Sequence, residues 1–168
     1  MRIALQTSKN ALTTLLICFS LLGLTQRASA EGKLALGIGH FDFLDDEDSL
    51  EIRAEYRFDH RLAYGIKPFI GIQTTTDKAF HGLAGLYRDI PLNEKIDLTP
   101  SLGAGIYTNG HGPDLNHFIQ FRSMIELGYQ LNEYYKLSIG ISHTSNAGLG
   151  EGNSGAESAG FYIHRGWP

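Results

Sequence analysis

Residues 50–58 read Leu50-Glu51-Ile52-Arg53-Ala54-Glu55-Tyr56-Arg57-Phe58, an unbroken alternation. Side chains of an extended chain point to opposite faces with period two. Leu50, Ile52, Ala54, Tyr56 and Phe58 therefore share one face, and Glu51, Arg53, Glu55 and Arg57 share the other. A soluble sheet buries the apolar face and wets the charged one. An outer-membrane barrel inverts the arrangement, with the apolar face toward lipid and the charges paired in the lumen. This strand by itself fits either.

The scheme recurs outward from that stretch. Ile66, Pro68, Ile70 and Ile72 alternate with Lys67, Phe69, Gly71 and Gln73. Ile96, Leu98, Pro100, Leu102, Ala104 and Ile106 alternate with Asp97, Thr99, Ser101, Gly103 and Gly105, and Ile119, Phe121, Ile125, Leu127 and Tyr129 with Gln120, Arg122, Glu126 and Gly128. Small residues crowd the second face, as the narrow interior of a small barrel demands. With weaker runs near Leu34 to Phe41 and Phe80 to Tyr87, and two more at the C-terminal end, the pattern predicts eight strands. The fold class is all-β, an eight-stranded antiparallel transmembrane β-barrel of the outer-membrane type. Pro68 and Pro100 fall inside predicted strands, and proline cannot donate to a ladder, so a bulge or local irregularity is expected at each. Connections after even strands read as tight turns around Asp59-His60, Asp89 to Asn93 and Asn132-Glu133. Most of those after odd strands read as long polar loops, at Asp42 to Ser49, Thr108 to Asn116 and Asn146 to Ala156, which face outward in such barrels.

The first thirty residues have the grammar of a secretory signal peptide. Arg2 and Lys9 give a positive start, Ala11 to Leu24 forms a short apolar core, and Ala28-Ser29-Ala30 is an A-x-A cleavage site. Residues 1–30 are expected to be removed, leaving residues 31–168 as one barrel domain. The single cysteine, Cys18, lies in the leader, so the exported chain has no disulfide and no thiol chemistry. Loss of Arg2, Lys9 and Arg27 leaves 11 Lys and Arg against 18 Asp and Glu, a balance that excludes nucleic acid as a partner.

Candidate chemistry sits in the last quarter. Leu137, Ile139 and Ile141 alternate with Lys136, Ser138, Gly140 and Ser142, and the same phase delivers His143 and Ser145 to the apolar face. Beyond a Gly/Asn/Ser-rich turn, Glu157 is in phase with Phe161 and Ile163. A hairpin centred near Gly150 pairs residues whose numbers sum to 300 and sets Glu157 opposite His143, Cβ atoms roughly 5 Å apart. Serine needs an imidazole to take its proton, and the imidazole needs an acid to hold its tautomer. Asn153 and the N–H groups around Gly148 are candidate oxyanion donors. An outward, apolar placement near the outer rim selects an ester presented in the outer leaflet.

The run His143-Thr144-Ser145-Asn146-Ala147-Gly148, followed by Asn153 and Glu157, resembles the lipid A 3-O-deacylases of the PagL type in order and spacing. The resemblance implies an eight-stranded outer-membrane serine esterase that hydrolyses the ester-linked 3-O-acyl (3-hydroxyacyl) chain of lipid A. It implies His143 as base, Ser145 as nucleophile, Glu157 as third member, and Asn153 and Gly148 as oxyanion contributors. It implies no cofactor, and lipid A or lipopolysaccharide and the outer membrane as partners, with a homodimer left open. Two other readings stand beside it: a structural or adhesive outer-membrane barrel without catalysis, and a soluble lipocalin-like barrel with its apolar faces turned inward.

The remaining polar groups have plainer readings. The acidic run Asp45-Asp46-Glu47-Asp48 reads as a solvated loop, with the gathering of divalent cations as the sharper alternative. Glu51, Arg53, Glu55, Arg57, Arg122 and Glu126 read as lumen ion pairs. The other histidines show no H-E-x-x-H or similar spacing, so no catalytic metal is expected.

Overall fold

The structure, a computed structural model, describes residues 32–45, 49–152 and 155–167; the expected leader and Asp46, Glu47 and Asp48 lie outside them. Eight long strands follow one another: β1 (Gly32–Phe41), β2 (Ser49–Phe58), β3 (Lys67–Thr75), β4 (Phe80–Tyr87), β5 (Ile96–Thr108), β6 (Ile119–Gln130), β7 (Tyr135–Ser145) and β8 (Gly155–Gly166). Each pairs antiparallel with the next, and β1 also pairs with β8. The sheet thus closes on itself, so no strand edge presents unpaired N–H and C=O groups to a hydrocarbon phase that cannot satisfy them.

The faces are inverted relative to a soluble protein. Ile52 is 58% exposed, whereas Arg53 beside it is 1% exposed. The same split runs round the barrel, with Ile70, Ile72, Leu102, Ile106, Ile125, Leu127, Ile139 and Phe161 outside and Gln73, Thr99, Gln120, Glu126 and Ser138 buried within. The lipocalin-like reading is thereby overturned, because such a barrel fills its interior with the apolar set.

Three arginines dominate the lumen and none is left without an acid. Arg53 meets Glu51 at 2.7 Å and shares Gln73 with it; Arg57 meets Glu55 at 2.8 Å and also Glu126; Arg122 meets Glu55. Ser138 donates to Glu126 at 2.8 Å, and His164 approaches the same carboxylate at 3.2 Å. The guanidinium planes also lie against rings, Arg53 over Tyr162, Arg57 over Tyr87 and Arg122 over Phe69, at 5.4 to 5.6 Å. Above the charges, Phe41, Ala79, Tyr107, Leu115 and Ala156 form an apolar cluster at the loop-bearing end that includes His143 and Ser145.

Two expectations are corrected. Neither proline makes a bulge, since both ladders run through in constant register. Pro68 precedes the first β2–β3 pair, Arg57 with Phe69, and Pro100 lies one residue beyond the last β4–β5 pair, Tyr87 with Ser101, so each missing N–H falls where one ladder has ended. Of the three turns at the opposite end only residues 131–134 are tight; residues 59–66 and 88–95 are longer. Their carboxylates explain the length. Asp89 meets Lys33 at 3.1 Å, Lys67 at 3.3 Å and Lys136 at 3.6 Å, and Asp59 meets Lys67. The turns carry acids back across the mouth to lysines on three strands, and Ile90–Pro91 pairs with Asp97 and Leu98 on the way.

Removing Glu126 leaves the buried Arg57 short of one carboxylate. Glu126→Ala is expected to lower the unfolding free energy by about 3–5 kcal/mol, read in a urea titration of the detergent-folded barrel by loss of its heat-modifiable gel band.

Candidate active site

The β7–β8 hairpin has the register expected from its sequence: Ser145 faces Gly155, His143 faces Glu157 and Ser142 faces Ser158. Thr144 is buried and His143 exposed, so His143, Ser145 and Glu157 emerge on the outer surface. His143 Nδ1 and Glu157 Oε1 are 2.8 Å apart, with their side chains 47% and 32% exposed. A carboxylate at Nδ1 leaves Nε2 available to accept a proton.

The imidazole leans across the hairpin onto Gly155, the cross-strand partner of Ser145. Among the described residues no hydrogen bond joins Ser145 to the ring; such bonds are often long before substrate binds and tighten in its complex.

One polar neighbour escaped the sequence reading. Ser123 of β6 lies opposite His143 on its other side, and Leu102, Ser123, His143 and Glu157 form a continuous row across β5 to β8. Part of the signal was present, because Ser123 is in phase with Phe121 and Ile125 on the apolar face; its pairing with His143 follows from a turn centred on Glu133, which pairs residues whose numbers sum to 266. The next row toward the loops sets Phe121, Ser145 and Gly155 side by side. Since the ring leans toward β8, Ser145 rather than Ser123 lies on its side of the row.

Loops complete the surroundings. Asn146 is buried and donates from Nδ2 to the carbonyls of Leu115 at 2.9 Å and Gly152 at 2.6 Å, tying two loops together. Its Oδ1 accepts the Gly148 N–H at 2.7 Å, an Asx-type turn that supports the left-handed backbone of Ala147 (φ 53) and Gly148 (φ 82). The N–H expected to serve an oxyanion is thus engaged by Asn146. Asn153, the other expected donor, lies outside the described residues.

On the β8 side, the N–H groups of Asp42 and Phe43 donate to the Glu157 carbonyl at 2.7 and 3.3 Å. This anchors the first loop and brings Phe43 and Leu44 over a groove of about 600 Å³ that also touches Pro100, Ile125, Ile141 and His143. Carboxylate oxygens of Asp42, Asp45 and Glu157 lie within 4.8 Å of one another, the group among the described residues able to offer three oxygen ligands to a hard cation.

A closed, charge-filled barrel of eight antiparallel strands with an apolar exterior is an outer-membrane β-barrel protein. Solved structures of the same shape include the outer membrane enzyme PagL, at 14% identity and TM-score 0.61 over 79% of this chain and 98% of that one. Neisserial surface protein A superposes with TM-score 0.62 at 10% identity, covering 81% of this chain and 97% of the other. A de novo designed transmembrane β-barrel does so with TM-score 0.60 at 7% identity, over 82% and 96%. No curated protein matches by sequence. The sequence model of the lipid A 3-O-deacylase (PagL) family matches residues 82–165, half of the chain, and the chain belongs to that family.

Asn146→Ala removes the side chain that joins the two loops. The expected outcome is rapid proteolytic nicking between residues 109 and 118 or 146 and 152 in a barrel that keeps its heat-modifiable migration, whereas the parent resists under the same conditions.

Proposed function

We propose that this protein is a serine esterase that hydrolyses the ester-linked 3-O-acyl chain of lipid A in the outer leaflet. The observation that carries the reading is the His143–Glu157 pair at 2.8 Å on the exterior of the barrel, beside an apolar groove and in the adjoining row to Ser145. A histidine and a glutamate facing hydrocarbon are costly unless they are paired and used. Membership of the lipid A 3-O-deacylase family supports the substrate class. Residues 1–30 are proposed to direct export and to be removed.

Chemically, Ser145 Oγ attacks the carbonyl carbon of the 3-hydroxyacyl ester while its proton passes to His143 Nε2. Glu157 holds Nδ1–H and stabilises the imidazolium that results. The tetrahedral oxyanion needs donors, a role proposed for Asn153 and for the turn at Gly148, whose N–H would exchange its Asn146 partner for the substrate oxygen. Collapse breaks the bond to the sugar oxygen, which leaves with the proton from His143. Water then attacks the acyl-serine, with His143 taking its proton and returning one to Ser145, and a 3-hydroxy fatty acid departs. The groove by Phe43, Leu44, Ile125 and Ile141 suits the chain being cut.

The test is mass spectrometry of lipid A incubated with the detergent-folded barrel. The parent is expected to remove one 3-hydroxyacyl mass, Ser145→Ala to lose the activity by at least roughly 1,000-fold, and Ser123→Ala to keep most of it. No loss with a folded parent across several lipid A forms would favour a structural or adhesive barrel instead. Tandem fragmentation that maps the lost chain to another position would overturn the 3-O assignment.

A further inference from the structure

We infer that Gly155 is a positioning residue, whose missing side chain provides the seat in which the His143 imidazole lies beside Ser145. The inference rests on the esterase reading above. Gly155 is the first residue of β8, directly opposite Ser145 and diagonal to His143. A Cβ built there would stand 2.3 Å from His143 Cε1, 3.1 Å from Nε2 and 3.2 Å from Nδ1. The ring therefore fills the space that any other residue at 155 would claim for itself.

Conformation does not call for glycine here. Among the described residues the positive-φ glycines are Gly65, Gly110 and Gly148, and Gly155 is not one of them. Gly148, four residues after His143's neighbour Thr144, is the contrasting case: its φ is +82° and a Cβ there would meet nothing within 4 Å. Glycine within a strand weakens it and marks close approach by another group. At Gly155 that group is the imidazole.

The chemical consequence follows from where the ring would go. Restoring an ordinary contact of roughly 3.5–4.0 Å moves Cε1 by more than about 1 Å, and the obstacle is the end of a side chain rather than backbone. The ring would swing from the Ser145–Gly155 row toward Ser123, and the strain would fall on the Glu157 bond and the path from Ser145 Oγ to Nε2. A misplacement of that size costs on the order of 100-fold in rate.

The experiment compares the parent, Gly155→Ala and Gly166→Ala, all folded in detergent. Gly166 is on the same strand, and a Cβ there meets only the Tyr134 carbonyl at 3.9 Å. Lipid A deacylation is read as kcat and KM, and Ser145 reactivity as its rate of labelling by a fluorophosphonate. Gly155→Ala is expected to lower kcat and the labelling rate together by roughly 100-fold, with KM and heat-modifiable migration unchanged, and Gly166→Ala to match the parent. Equal kcat and labelling in parent and Gly155→Ala, or a Gly155→Ala chain that does not fold, overturns the role of Gly155 and leaves the esterase reading standing. A folded parent that neither deacylates lipid A nor takes up the label at Ser145 overturns both.

Discussion

The arginine–carboxylate network in the lumen is the constraint on which the remainder of the barrel depends. Arg53, Arg57 and Arg122 are almost wholly removed from solvent, and an unpaired guanidinium there would cost several kcal/mol. Each must therefore meet a carboxylate: Arg53 meets Glu51 on its own strand, while Arg57 meets Glu126 and Arg122 meets Glu55 between β2 and β6, which are distant in sequence. A slip of one residue in any of these strands would turn its charges toward lipid and its aliphatic residues inward. The network thereby selects the register of β2 and β6 and, through Ser138 and His164, of β7 and β8 as well.

From that phase comes the position of the site. If Lys136, Ser138 and Ser142 point inward, then His143 and Ser145 must point outward, and Glu157 must follow once Ser158 and His164 are inside. The pair of ionisable groups on the exterior is the complement of the interior pairing. Its supports are tied together: four neighbouring strands form the row, the Glu157 carbonyl ties down the first loop, and Asn146 ties down two others. Side chains carried on strands hold their relative positions better than those on free loops.

Much of this was legible before the fold was known. The alternation over Leu50 to Phe58 and its repeats encode strands, and the turn at Gly150 encodes the register that joins His143 to Glu157. The errors have a common origin. Pro68 and Pro100 read as bulges because it was not evident that each stands where a neighbouring ladder has already ended. The turns after β2 and β4 read as tight because nothing local says that Asp59 and Asp89 must reach back to Lys33, Lys67 and Lys136. The outward face of Ser123 was legible from its phase with Phe121 and Ile125, but its place opposite His143 depends on the turn being centred on Glu133.

The sequence by itself determined what depends on neighbours along the chain: the strands, the two-faced pattern, the register of the last hairpin, and the phase that sets His143, Ser145 and Glu157 together. Only the tertiary structure decided which face is outside, because the same alternation suits a wet and a lipid-facing sheet until closure shows the charges satisfying one another within. It alone also decided the tilt of the His143 ring onto Gly155. Rotamer and lean depend on the empty volume left by a residue across the hairpin, and that volume does not exist until the strands have paired.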